Sequence, residues 1–379
     1  MSGFDRRQFL KLAGGGSVVA ISGLAGCAGG PSGDDETEDD PGDGADEDET
    51  TTESGDDVDA SIAMVYATGG LGDGSFNDQA QTGLFEAEDE FDLAYEEAQP
   101  EEVSDFANYQ EQFAQSSDPE YDLISTIGFL QADALSETAA EYPDQNFMIV
   151  DSVVDEPNVN SFVFAEHEGS YLAGQLVAML TTTEFSAGAA ETNPDESIVG
   201  FVGGVQSDLI EKFEAGFRAG VAAVDEDISI QSSYVGDFND PSGGKEAALS
   251  MYGDGADFVY HAAGNTGTGV FEAAEEEGRF AIGVDQDQSL TKDSYADVIL
   301  ASMVKRVDTA VYNAIENVAD GSFEGGNTTP LGLQDDGVAL VYGDQIGSDV
   351  PGDVTDAVDS ARQGIIDGDI SVPESPDDV

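Results

Sequence analysis

Basic residues are scarce in this sequence: 379 residues carry 11 Lys+Arg against 80 Asp+Glu, a formal net charge of −69. So little positive charge cannot neutralise a run of phosphates, which argues against nucleic acid as a partner. Cysteine is scarcer still. Cys27 stands alone, so no disulfide forms within the chain. The two histidines, His167 and His261, have neither metal-ligand spacing nor a thiol partner and read as structural. No Asp-x-Asp-x-Asp-Gly run with a later Glu is present, so the acid does not spell a calcium loop. Neither a metal nor a cofactor is expected. Acid spread along the whole chain fits a protein that stays soluble in multimolar salt, where self-repulsion is screened.

A long apolar run is also missing. Leu12 to Ala25 is glycine-rich and about 15 residues long, short of the roughly 20 that a membrane span needs. It follows Arg6-Arg7-Gln8-Phe9-Leu10-Lys11, and twin arginines before a mild apolar stretch resemble a Tat signal, with Asp5 where Ser or Thr is commoner. Leu24-Ala25-Gly26-Cys27 resembles a lipobox, which makes residues 1–27 a lipoprotein signal peptide and Cys27 the lipidated first residue of the mature protein. A diacylglycerol-type anchor would then hold the chain on the extracytoplasmic face of the cell membrane. Residues 28–59 hold Asp, Glu, Gly, Ser, Thr and Pro with almost nothing apolar, so no core can form and like charges extend the segment as a tether.

From residue 60 onward, short β-rich runs alternate with amphipathic segments. Strands are predicted over 60–67, 92–98, 121–128, 146–151, 159–165, 197–203, 229–236, 257–263, 280–285, 298–304 and 338–342. Helices are predicted over 77–90, 103–115, 131–142, 168–181, 207–224, 242–253, 266–278 and 305–319. Residues 182–196 read as a surface loop. Repeated βα units imply parallel sheets with helices on both faces, and this many strands implies two sheets.

Ligands of such sheets bind beyond the carboxyl ends of the strands. Ile62 to Asn77 is the sharpest case, a buried-looking strand running through a glycine-rich turn that delivers Ser75, Phe76 and Asn77 to a helix start. Phe76 is either an anchor for that turn or a platform for a flat ligand. Other strand ends offer Gly128-Phe129, Asp151, Gly203-Gly204, Phe238, Gly264, Asp285 and Lys305. Aromatics, carboxylates, one lysine and glycines together suit a neutral, hydroxyl-bearing ring compound. Asp151 and Asp285 could be a catalytic pair, helix N-caps, or acceptors of ligand hydroxyls. Gly264-Asn-Thr-Gly-Thr-Gly269 has the wrong glycine order for a dinucleotide turn and reads as a small-residue turn permitting close approach. Lys305, a scarce base ending an apolar strand, is expected to reach into the site.

Several of these runs resemble the basic membrane protein family in the right order. They include Gly69-Gly-Leu-Gly-Asp-Gly-Ser-Phe-Asn77, Tyr142-Pro-Asp-Gln-Asn-Phe-Met-Ile-Val-Asp151, Glu168-Gly-Ser-Tyr-Leu-Ala-Gly174, Tyr234-Val-Gly-Asp-Phe-Asn-Asp-Pro241, Gly283-Val-Asp-Gln-Asp-Gln288 and Ser302-Met-Val-Lys-Arg-Val-Asp308. The family comprises lipoproteins similar to the purine nucleoside receptor of spirochaetes, which serve as substrate-binding components of ABC importers. The resemblance, over about residues 60–343, implies an α/β type I periplasmic-binding-protein fold with two Rossmann-like lobes and a three-crossing hinge near Glu166, Lys305 and Gly337. One lobe would hold 60–166 and about 306–337, the other 167–305 and about 338–370.

Carried over by motif, the resemblance makes Phe76 and Phe238 the two rings that sandwich a purine base. Phe213 is the other aromatic considered for the second face. Asn77 and Asp151 become polar contacts from the first lobe, Asp285 and Lys305 the ribose contacts, and Gly264 a point of close backbone approach. Ala67-Thr68 stands where the family commonly has an Asp associated with the base, which leaves the base preference open. The implied function is capture of a nucleoside and delivery to an ABC permease and its ATPase, without catalysis. A sugar or other small polar ligand, a ligand-sensing receptor and a nucleoside-cleaving enzyme are the alternatives.

Overall fold

The computed structural model describes residues 58–379. The expected signal peptide, 1–27 with Cys27, and nearly all of the expected tether, 28–59, lie outside the described residues. In chain order the strands are β1 (Ala60–Val65), β2 (Leu93–Ala98), β3 (Leu123–Ile127), β4 (Phe147–Val150), β5 (Val159–Phe164), β6 (Ser186–Ala187), β7 (Ala190–Glu191), β8 (Ile198–Gly203), β9 (Ser229–Tyr234), β10 (Ala256–Ala262), β11 (Phe280–Asp285), β12 (Ile299–Lys305), β13 (Thr328–Leu331) and β14 (Val338–Tyr342). The helices are α1 (Phe76–Glu88), α2 (Phe106–Ala114), α3 (Ala132–Glu141), α4 (Glu166–Thr181), α5 (Asp208–Val224), α6 (Pro241–Gly253), α7 (Gly267–Glu277), α8 (Gln288–Thr291), α9 (Val307–Ala319) and α10 (Gly352–Ile366).

Two six-stranded sheets result, ordered β13-β5-β4-β3-β1-β2 and β14-β12-β11-β10-β8-β9. The two orders superpose place by place, so β1 corresponds to β8, β3 to β10 and β4 to β11. Strand β1 shows why its residues pair this way. All six are buried. Ile62 and Met64 face a cluster with Leu84 of α1 and Val311 of α9, while Ala63 and Val65 face Phe106 of α2 and Leu135 of α3. A strand covered on both faces is apolar nearly throughout, here with Ser61 as the one polar residue, which is the signature of a central parallel strand. In the second lobe α4 and α5 pack backbone to backbone, because a Cβ at Gly174 would strike the carbonyl of Phe217 and one at Gly216 the carbonyl of His167.

The chain passes between the sheets three times. It leaves the first through Ala165 into α4, which packs on β12, β14 and α5. It returns through Arg306 into α9, which packs on α1 and β1, and it crosses again between β13 and β14 through a short turn at Leu333–Asp335. The arrangement is that of a type I binding protein with two Rossmann-like lobes.

Four features depart from the sequence reading. The second sheet is not wholly parallel, since β14 runs antiparallel to β12. This follows from the third crossing, which enters the sheet from the end where β12 leaves it. The 182–196 stretch carries the small β6–β7 hairpin. Strand β13, unforeseen, is an exposed edge bearing Pro330, where a missing N–H costs no ladder bond. Helix α10 was also unforeseen, although Val354, Val358, Ala361 and Ile365 form its buried stripe against α4.

Candidate ligand-binding site

The carboxyl ends of strands from both sheets open on one cleft whose space, open mouth included, is about 690 Å³. Phe76, Asn77, Asp151, Phe238, Gly264, Asp285 and Lys305 all line it. These seven residues, singled out in the sequence, come from six strand ends and line one cleft.

The glycine-rich turn after β1 forms its first wall. Gly69, Gly70, Gly72 and Gly74 all have positive φ, which coils the chain tightly enough for two carboxylates to tie it. Asp73 accepts from the backbone N–H of Ser75 (2.9 Å), Asn77 (2.9 Å) and Asp78 (3.2 Å). Asp78 accepts from those of Gly72 and Gly74, both at 2.7 Å. Burial pushes the Asp73 carboxyl up to about 6, against those N–H donors. Asp73 therefore serves the free N–H groups at the start of α1. The Ser75 hydroxyl instead donates across the cleft to Asp285 Oδ2 at 2.5 Å. Asn77 is largely engaged within the turn: its Oδ1 accepts from Ala67 N–H (2.9 Å) and its Nδ2 donates to Gly70 O (3.0 Å).

A charged cluster stands at the inner end. Lys305, the last residue of β12, is 2 % exposed, and its Nζ lies 2.6 Å from Asp151 Oδ2 and 4.0 Å from Glu166 Oε1. Neither Asp151 nor Asp285 caps a helix: Asp151 faces Lys305 and Asp285 faces Ser75. Burial pushes the Asp285 carboxyl above its usual range, with Lys305 and the Ser75 hydroxyl pulling the other way. Burial pulls the Lys305 ammonium down, but Asp151, Asp285 and Glu166 outweigh it and hold the group above an ordinary lysine. One ammonium thus stands among three acidic side chains, Asp151, Glu166 and Asp285.

Aromatic rings make the rest of the wall. The Lys305 ammonium sits 4.7 Å from the centroid of Phe76 and 5.6 Å from that of Phe213. Phe129 and Phe238 meet edge to face from opposite lobes, with centroids 6.3 Å apart at 82°. Gly264 (φ 55°) lets β10's turn come close to Phe238, since a Cβ there would lie 3.2 Å from the Phe238 carbonyl oxygen.

Sequence reasoning marked Glu166 only as a crossing point. It is fully buried, with both carboxylate oxygens lacking a hydrogen-bond partner, and Lys212 lies 3.8 Å away. Burial pushes its carboxyl up to about 8. No local signal could have revealed this, because its neighbours come from α5 and β12.

A family model described as ABC transporter substrate-binding protein, PnrA-like, named Bmp, matches residues 60–375. An ABC transporter nucleoside-binding protein, BmpA, of Lactococcus lactis is 37% identical over 336 residues, covering 83% of this chain and 90% of that protein. An uncharacterized lipoprotein of Pyrococcus abyssi is 33% identical over 333 residues, covering 85% of this chain and 74% of that one. Among solved structures, a solute-binding protein of an Aeropyrum pernix ABC transporter system is similar with a TM-score of 0.72 at 27% identity, over 84% of this chain and 95% of that chain.

Proposed function

This chain belongs to the Bmp family of PnrA-like ABC transporter substrate-binding proteins, which are not enzymes, and from that premise we propose that it captures a nucleoside, a purine nucleoside first, between its two lobes. The observation that carries the reading is the meeting of Phe76, Phe129, Phe213 and Phe238 with Asp151, Asp285 and Lys305 in one cleft. Phe76 and Phe238 stack on the base, at on the order of 1–3 kcal/mol per base. Asp151 and Asp285 accept hydrogen bonds from the sugar hydroxyls. Such charge-assisted bonds discriminate against ligands that lack the hydroxyls, since the buried carboxylates are then left short of donors. Lys305 orients Asp151 and Ser75 orients Asp285, Asn77 shapes the turn and offers its remaining N–H, and Gly264 keeps backbone close to the ligand. Because Lys305 is already paired with Asp151 and stands beside Glu166, it offers no free cation to a nucleotide's phosphate, which is rejected.

The name of the Lactococcus relative supports a nucleoside, and the lipoprotein name of the Pyrococcus relative supports an anchor through Cys27. The chain then works on the extracytoplasmic face of the membrane, closes its lobes on the ligand and passes it to the permease of an ABC importer. A thermal-shift panel in multimolar KCl tests the ligand. Stabilisation by purine nucleosides but not by ribose, free bases or nucleotides supports the reading, and a shift with ribose alone overturns it. Membrane fractionation of Cys27→Ala tests the anchor, which predicts release of the variant from the membrane.

A further inference from the structure

The glycine-rich turn of the first lobe is tied to the second lobe by side chains that do not line the cleft. Gln288 Nε2 donates to Gly74 O at 3.1 Å and Thr291 Oγ1 donates to the same oxygen at 2.9 Å. Gln286 Nε2 donates to Ser75 O at 2.8 Å. Gln288 is the buried member of the three, and its orientation is dictated. Its Oε1 accepts from Val284 N–H at 2.8 Å and faces His261 Nε2 at 2.9 Å. A backbone N–H can only donate, so Oε1 must point at Val284. His261 must then donate from Nε2, and the Gln288 amide N–H groups are left facing Gly74. His261 suits this part, because burial pushes its imidazole down to about 3 and keeps the ring neutral.

We propose that Gln288, oriented by His261 and flanked by Gln286 and Thr291, is a clasp that holds the two lobes shut on the glycine-rich turn and so sets how long a bound ligand stays. The three are positioning residues that act through the turn. Opening the cleft breaks their bonds, whereas ligand entry into the open form does not involve them, so the clasp acts on dissociation. Each lost bond should raise the dissociation rate about two- to tenfold.

The kinetic part rests on the nucleoside reading, and a second measurement stands free of it. In the full chain in molar KCl, Gln288→Met and Thr291→Val are compared with the unmodified protein. Inosine dissociation and association are followed by stopped flow, and backbone hydrogen exchange is followed without ligand. The clasp predicts faster inosine release with association changed less than twofold. It also predicts faster exchange confined to 69–78 and 286–291, with α5 unchanged. Should Gln288→Met unfold the second lobe, exchange rises in α5 too, and the exposed Thr291→Val decides. Unchanged release and unchanged exchange in 69–78 for Thr291→Val overturn the clasp. Absence of inosine binding by the unmodified chain overturns the ligand reading, and exchange alone then decides the clasp.

Discussion

Asp151 and Asp285 occupy the same place in the two lobes. Each follows or ends the third strand from its sheet's β13 or β14 edge, β4 and β11 respectively, and each holds a left-handed backbone, with φ of 68° and 64°. That conformation is uncommon for a residue with a side chain and persists only where the surroundings impose it. Here it turns both carboxylates into one cleft, one from each side, with Lys305 between them. Closure of the lobes is therefore also the assembly of a charged cluster.

Lys305 is the only ammonium against Asp151 among the described residues. Lys305→Met would leave Asp151, Asp285 and Glu166 buried without it, and removing one partner of a buried pair costs roughly 3–5 kcal/mol. Urea unfolding should show a loss of that size, and the double variant with Asp151→Asn should recover part of it. Equal stability of Lys305→Met and the unmodified protein would contradict the cluster's charged state.

Phe76→Ala and Phe238→Ala should each weaken purine nucleoside binding about tenfold or more, from the stacking contribution of a ring face. Calorimetric titration reads the change. Affinity unaltered in both variants would remove the sandwich, and a loss confined to Phe213→Ala would move the second face to that ring.

His261 gives a pH dependence of known sign. Its folded value is pushed down from 6.5 to about 3 by burial, so the folded state favours the neutral ring. The stability it contributes is complete above about 6.5 and is lost as pH falls toward 3, with a slope near 1.4 kcal/mol per pH unit inside that window. Denaturant midpoints between pH 7 and 4 should fall more steeply for the unmodified protein than for His261→Phe. Parallel curves would show that the imidazole takes up its proton without cost.

The net charge of −69 predicts a salt requirement. Screening lengths shrink from about 10 Å at 0.1 M to about 3 Å at 1 M salt, so dilution restores self-repulsion across the acidic surface. The melting temperature should drop as KCl is diluted from multimolar to 0.1 M. A melting temperature insensitive to that dilution would contradict adaptation to high salt.

The sheets were legible because a strand covered on both faces, such as Ala60–Val65 with Ser61 its one polar residue, is nearly all apolar, and because helices between strands fix parallel pairing. The lining of the cleft was legible because the carboxyl ends of the parallel strands, where Asp151, Asp285 and Lys305 stand, face it. Contacts between the lobes were not legible. Ser75 and Asp285 are 210 residues apart, and nothing near Ser75 tells a helix-capping hydroxyl from one that reaches across a cleft. The burial of Glu166 and the meeting of Phe129 with Phe238 are hidden for the same reason. Strand β13 escaped notice because an exposed edge needs no apolar pattern and tolerates Pro330.

The most direct test of the account is a crystal structure of the protein with a purine nucleoside. The account predicts the base between Phe76 and Phe238, with the sugar hydroxyls within hydrogen-bond distance of Asp151 and Asp285 beside Lys305. A nucleoside bound outside the cleft, or in it with the sugar turned away from both carboxylates, would contradict it.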